Sequence, residues 1–221
     1  MRNLNQFILE RLKLNKDTKV FQYKYHPKNF DELRSLLEQL LDKRGKDADL
    51  NDIDVSKITS FGEKITSGKY SHGGSGLFYG LDPHNIKIDR WNVSNVENMN
   101  SMFEGCENFT GQGLENWNVS KVEDMADMFF NCEKFTGQGL KNWNVSGVND
   151  MACMLSYCEN FNCDLSNWDI SNVEDMRGMF DQCINFTGKG LENWKPLKCK
   201  NMRAMFDDCT SLKNKPSWYK E

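Results

Sequence analysis

The strongest constraint on this chain is a spacing. Between Trp91 and Cys209, tryptophans fall at 91, 117, 143, 168 and 194, in steps of 26, 26, 25 and 26 residues. Eight residues after each comes a methionine (Met99, Met125, Met151, Met176, Met202), and three further on a second (Met102, Met128, Met154, Met179, Met205). Fifteen residues after each tryptophan comes a cysteine: Cys106, Cys132, Cys158, Cys183 and Cys209. Apart from the initiator, every methionine belongs to this grid. A fixed period of this length marks a stacked-repeat protein, in which a unit buries its apolar face only against its neighbours. Stacking should place the tryptophans, and likewise the methionines, in internal columns.

One copy carries the local physics. Leu114, Trp117 and Val119 have the spacing of a short strand with its apolar side inward. Ser120 stands three residues before Glu123, a capping-box pattern that Ser94 with Glu97 and Ser171 with Glu174 repeat. Val122, Met125, Met128, Phe129 and Cys132 then fall three or four apart, which predicts a short helix with one apolar face. Acidic residues such as Glu123 and Asp124 would favour the dipole at its start. Thr136-Gly-Gln-Gly139 is a turn-rich link, and Asn162-Cys163-Asp164 shortens it in the third copy, which accounts for the 25-residue step.

The pattern persists upstream in weaker form. Ile53, Val55, Ser56, Ile58 and Phe61 take the places of Trp, Val, Ser, Val and Met. Trp91 lies 38 residues after Ile53, so about 12 residues have been inserted within Gly62–Asp89. The insert includes Ser71-His-Gly-Gly-Ser-Gly76, which lacks the glycine order of a phosphate loop and reads as a surface loop. It is the one loop the repeat does not dictate, and so a candidate for specificity. At the other end Lys195-Pro196-Leu197 replaces Asn-Val-Ser, as expected of a terminal repeat facing water.

Copies such as Trp168-Asp-Ile-Ser-Asn-Val-Glu-Asp-Met-Arg-Gly-Met-Phe-Asp-Gln-Cys183 resemble the BspA-type, mycoplasma-type leucine-rich repeat over roughly Ile53 to Leu212. The resemblance implies an α/β fold: a leucine-rich-repeat-like right-handed solenoid of short strands and short helices. It implies a binding or surface-interaction role rather than catalysis, and the family has no catalytic motif to carry over. Many relatives are secreted or surface proteins with signal peptides. This chain departs from them, because its longest apolar run near the start is Phe7-Ile8-Leu9.

The expected organisation has three parts: residues 1–52 as an α+β N-terminal cap, 53–212 as the repeats, and 213–221 as a C-terminal cap in which Trp218 closes the core. Within the first part, Met1–Leu14 reads as an amphipathic helix with Leu4, Phe7, Ile8 and Leu12 on one face. That face docks either on the body or on a partner. Val20–Tyr25 alternates like a strand. A helix follows, capped by Asn29 with Glu32 three later, striped by Leu33, Leu36, Leu37, Leu40 and Leu41, and stopped at Gly45.

A formal charge of −4 with no dense Lys/Arg cluster argues against nucleic acid. No run approaches the ~18–20 apolar residues of a membrane span. Five of the eight cysteines are one column of the repeat, and an odd ladder cannot pair fully, so free buried thiols are expected. Cys153, Cys158 and Cys163 have poor metal spacing and no nearby histidine. No cofactor or metal and no catalytic residue is expected. Free thiols without an export signal point to a cytoplasmic or particle-associated protein, with a surface or secreted location as the alternative that the resemblance implies.

The candidate partner-binding residues are two columns flanking the tryptophans, Asn92, Asn118, Asn144 and Asp169 on one side and Asn116, Asn142, Asn167 and Asn193 on the other, together with Leu4, Phe7, Ile8 and Leu12. The columns are open to two readings, partner binding or satisfaction of turn backbone. The expected function is a non-enzymatic protein–protein interaction module. The alternative is a structural or assembly component docked through its N-terminal helix.

Overall fold

The computed structural model describes residues 22–62 and 76–220. Parallel bridges run from Ser60 to Asn98, then to Asp124, Asp150, Asp175 and Asn201. Each repeat therefore lies beside the next, with equivalent residues adjacent. The predicted helix over Val122–Cys132 is not what these residues form. Instead, three turns overlap: the N–H of Met128 donates to the carbonyl of Met125, Phe130 to Asp127, and Cys132 to Phe129. The alternate N–H groups, of Met125, Asp127, Phe129 and Asn131, donate across to Asp150, Ala152, Met154 and Ser156 of the next coil. Ala126 donates to the Asp124 carboxylate. Every backbone donor from Met125 to Cys132 is thus used.

Asp127 and Asn131 are the third residues of their turns, with φ of 55° and 56°, as a type II turn requires. The same two positions are left-handed in the other copies, at Ser101, Cys153 and Ala204 and at Tyr157, Gln182 and Asp208, with glycine only at Gly178 and Gly105. With no helix to begin, Ser120 and Glu123 form no capping box. Ser120 N–H donates to Asn118, and Glu123 N–H to the Glu97 carbonyl of the preceding coil.

Inward residues build one apolar core. The methionines from Met99 to Met179 are fully buried, as are Phe103, Phe129 and Phe180. Indoles stack 6.4 Å apart between Trp91 and Trp117 and between Trp117 and Trp143, and 6.3 Å apart between Trp168 and Trp194. A buried indole N–H needs an acceptor, and each finds the carbonyl three residues before the tryptophan position of the preceding coil: Trp117 to Ile88, Trp143 to Leu114, Trp168 to Leu140, Trp194 to Leu165. The thiols behave alike. Cys132, Cys158 and Cys183 each lie 3.0 Å from a carbonyl of the coil before, at Phe103, Phe129 and Leu155.

The ends follow the same rules. Trp91 donates to Leu50, three residues before Ile53, so the unit at Ile53–Phe61 is a coil in register. Phe61 N–H bonds to Asn98, and Phe78 N–H to Met102, with the Phe78 ring stacked on Phe103 at 5.1 Å. The register therefore holds as far as Gly62 and is present again from Gly76. The residues between, with most of the glycine-rich stretch, lie outside the described residues. Trp218 donates to Leu191 and stacks on Trp194 at 5.9 Å, so the tail begins a further coil.

Helix α1, Phe30–Arg44, covers the N-terminal end. Asn29 Oδ1 accepts from Glu32 N–H, Glu32 accepts from Lys28 N–H, and Gly45 N–H closes on Leu41. Leu33, Leu37, Leu40 and Leu41 are buried. Of the expected Val20–Tyr25 strand, Tyr25 makes a single parallel bridge with Ile53, while Val20 and Phe21 lie outside the described residues. Two 3-10 turns, Leu140–Asn142 and Leu191–Asn193, precede Trp143 and Trp194. Gly190, at φ 93°, is required before the second, since a Cβ there would lie 2.3 Å from Ser166 N.

Met125 is fully buried with fully buried neighbours above and below. Met125→Asp should cost roughly 4 kcal/mol or more, because a carboxylate is left in an apolar column without a partner. Thermal unfolding followed by near-UV circular dichroism should show the loss spreading beyond one coil.

Candidate interaction surface

The two asparagine columns separate in the structure. In the first, the side-chain oxygen accepts from the N–H two residues on: Asn92 from Ser94, Asn118 from Ser120 and Asn144 from Ser146, each at 3.2 Å, and Asp169 from Ser171 at 3.0 Å. This column satisfies turn backbone. The hydrogen bond from Ser171 also holds the exposed Asp169 carboxyl below its ordinary range. In the second column, Asn116, Asn142, Asn167 and Asn193 are exposed, with no side-chain hydrogen bond among the described residues. Leu4, Phe7, Ile8 and Leu12 lie outside the described residues.

A surface not singled out from the sequence lies on the turn ladder. Three columns there stay out of the apolar core, although Ser101, Glu104 and Ser156 within them are buried: Ser101, Asp127, Cys153, Gly178 and Ala204; Glu104, Phe130, Ser156, Asp181 and Asp207; Gly105, Asn131, Tyr157, Gln182 and Asp208. The inward columns repeat one residue type, with Leu155 standing for Phe in one copy, whereas these vary among the copies apart from Asp181 and Asp207. At the centre, Phe130 and Tyr157 meet edge to face at 5.6 Å, and Tyr157 is 42% exposed. Burial, then repulsion from Asp207 and Asp208, pushes the nearby Asp181 carboxyl up. Copy-to-copy variation at fixed positions was the available sequence signal, but reading the segment as a helix concealed which positions share a face.

Beside this face runs a column of carboxylates. Asp124, Asp150 and Asp175 stack in successive coils, with Asn98 and Asn201 at the two ends. Asn98 Nδ2 donates to Asp124 at 3.3 Å, and Asn201 Nδ2 to Asp175 at 3.2 Å. Arg177 also reaches Asp175, at 3.4 Å. The central Asp150 has neither partner and, among the described residues, accepts only from Ala152 N–H. Burial pushes its carboxyl up to about 6, aided by repulsion from Asp124 and Asp175 and opposed by the Ala152 bond and Arg177. Burial also raises Asp124.

A cleft of about 520 Å³ at the N-terminal end is lined by Arg44, Asp49, Asn51, Asp52, Lys87, Asp89 and Arg90. Much of this polarity is already engaged. Arg44 grips Asp52 through two bonds of 2.9 and 2.8 Å, lowering that carboxyl, and Asn51 donates to Asp89 at 2.8 Å. Burial keeps the thiols in their protonated form. Burial pushes Cys209 up to about 12 and Cys153 to about 11, and Cys132 and Cys183 well above the ordinary thiol range. Among the described residues, no group of three or more His, Cys, Asp or Glu side chains is placed to hold a metal, and no helix is long and apolar enough to cross a membrane.

A family model described as "Mycoplasma protein of unknown function, DUF285" matches residues 73–139 and 128–220. No curated protein and no solved structure matches the chain.

Two measurements check this surface. Asp150 binds its proton more tightly folded than unfolded, so the native state gains stability as pH falls from about 6 towards 3.8, while ionisation opposes folding above 6. Asp150→Asn keeps the acceptor for Ala152 and adds an amide between two carboxylates. It should stabilise by about 1–2 kcal/mol at pH 8 after solvent screening, and by little at pH 4, in urea titrations. Thiol labelling of the native protein should modify the half-buried Cys153, Cys163 and Cys199 before the buried Cys132, Cys158 and Cys183.

Proposed function

The chain belongs to the DUF285 family, a family of unknown function, and on that premise we propose that it is a non-enzymatic protein–protein interaction module. The proposed form is a leucine-rich-repeat-like right-handed solenoid of the BspA type, with the variable face of the turn ladder as its recognition surface. The observation that carries this reading is the contrast within the ladder. Inward positions repeat Met, Met, Phe (Leu155 in one copy) and Cys, while outward positions vary among the coils, Asp181 and Asp207 being the one repetition, and present the Phe130–Tyr157 pair to solvent.

Protein interfaces are anchored by aromatic side chains surrounded by polar ones. Phe130 and Tyr157 have Asn131, Gln182 and Asp181 at equivalent or adjoining positions in the ladder. The exposed amides of Asn116, Asn142, Asn167 and Asn193 are a second regular feature, suited to hydrogen bonding with an extended chain. The raised thiols and the paired charges of the cleft support a binding rather than a catalytic role.

The test is paired affinity capture from native lysate with the wild type and with Phe130→Ser/Tyr157→Ser. Both positions face out of the core, so the indole near-UV signal should persist in the variant. Specific partners should be lost from it, with a binding penalty of about 2 kcal/mol or more for a partner recovered in both captures. Retention of all partners by the variant, with their loss on deletion of residues 1–19, would instead favour an assembly component docked by its N-terminal segment.

A further inference from the structure

The ladder has a direction. In the coils that begin at Met99, Met125, Met151 and Met176 the alternate N–H groups donate forward, and Met176, Gly178, Phe180 and Gln182 do so to Asn201, Arg203, Met205 and Asp207. The equivalent donors of the following coil are Met202, Ala204, Phe206 and Asp208. None of these four N–H groups has an acceptor among the described residues. At the opposite end the edge is covered: Arg34 of α1 donates to the carbonyls of Gly76 and Leu77 at 3.3 and 2.8 Å. The residues after Cys209 cover the apolar side of the last coil, where Trp218 stacks on Trp194 and Tyr219 meets Phe206 edge-on at 5.1 Å, but they supply no acceptor to the ladder. Met202 is accordingly only half-buried, where Met99, Met125, Met151 and Met176 are fully buried.

The charge of this end differs from the rest. From Glu192 to Lys220 there are seven Lys and Arg against three Asp and Glu, in a chain of net charge −4. Lys198, Arg203 and Lys213 are exposed. We propose that this C-terminal edge docks an extended acidic segment of a partner polypeptide, whose backbone carbonyls at alternate residues accept from Met202, Ala204, Phe206 and Asp208. A second copy of this chain does not fit. Its own C-terminal edge offers the same unfilled donors and no matching acceptors, and its N-terminal edge lies under α1. Of the variable face the site uses only the backbone of Ala204 and Asp208, in its last coil; it does not involve Phe130 or Tyr157 and does not depend on the role proposed for them.

The probe is a synthetic peptide of residues 171–182, which carries Glu174, Asp175 and Asp181 against Arg177. Within the chain, the carbonyls of Asp175, Arg177, Met179 and Asp181 already accept from the preceding coil in the required register. Amide exchange of the full chain, read by NMR, should show Met202, Ala204, Phe206 and Asp208 exchanging far faster than Met176, Gly178, Phe180 and Gln182. Saturating peptide should slow those four amides by about tenfold or more, and a scrambled peptide should not. Lys198→Glu/Arg203→Glu, with its indole near-UV signal retained, should bind the peptide about tenfold more weakly. Phe130→Ser/Tyr157→Ser should bind it unchanged. Equal protection of the two amide sets in the free protein, no protection on adding peptide, equal binding of the scrambled peptide, or indifference to charge reversal would each overturn the proposal.

Discussion

Every backbone N–H in a dry interior needs an acceptor, and this chain meets that demand without a strand ladder or a helix in its repeats. A turn closes only one N–H in two. Met128, Phe130 and Cys132 are satisfied within their own coil, whereas Met125, Asp127, Phe129 and Asn131 depend on the next. A single repeat therefore leaves four donors open as well as its apolar face, and neither deficit is met except by stacking. Other groups stitch the same interface in reverse: the N–H of Asn149, the indole of Trp143 and the thiol of Cys158 all donate to the coil before. This two-way stitching also explains why residues such as Asp127, Cys153 and Tyr157 hold left-handed backbone. The conformation costs a non-glycine residue about 1–2 kcal/mol, which the bonds across the interface offset.

What was legible in the sequence follows from what stacking does. Equivalent positions touch, so a large side chain that stacks on itself recurs, and the tryptophan, methionine and cysteine columns are readable directly. The helix was misread for a definable reason. Overlapping turns return to the same side every four residues, placing Met125, Met128, Phe129 and Cys132 inward. Over eight residues that pattern departs from a 3.6-residue helical period by less than one residue. Local periodicity could not separate the two, but the hydrogen bonds do.

The ends were partly legible. Ile53, Val55 and Ile58 betrayed a coil because their apolar spacing survives, and Ile58 N–H closes on Val55 as Val96 N–H does on Val93. The return of the chain at Gly76-Leu77-Phe78 was not readable, since Leu-Phe stands there for Met-Phe and no tryptophan precedes it at the usual distance. Trp218 was legible as a closing residue but not as the start of a coil, because Lys215 replaces the leucine three residues before it. Of the asparagine columns, position alone could not say which was spent on its own turn. That depended on whether the next N–H but one pointed back at the side chain.

Repetition carries an electrostatic cost that helps to separate variation imposed by the fold from variation left free. Parallel pairing brings equivalent residues to about 5 Å, so an acidic position copied in every coil would become a row of like charges in a poorly solvated setting. The chain keeps aspartate in only three consecutive coils, ends the row in Asn98 and Asn201, and places Arg177 against Asp175. Variation along that column follows from charge. Asp181 and Asp207 repeat a charge in the last two coils, but no such pressure accounts for Phe130 between Glu104 and Ser156, nor for Tyr157 after Asn131. Differences there do not relieve a repeated charge or fill the core, and an aromatic pair at the centre of that face leaves ring surface in water. Neither the turns nor the packing demands Phe130 and Tyr157, and it is on this face, rather than in the repeated columns, that the sequence departs from what stacking imposes.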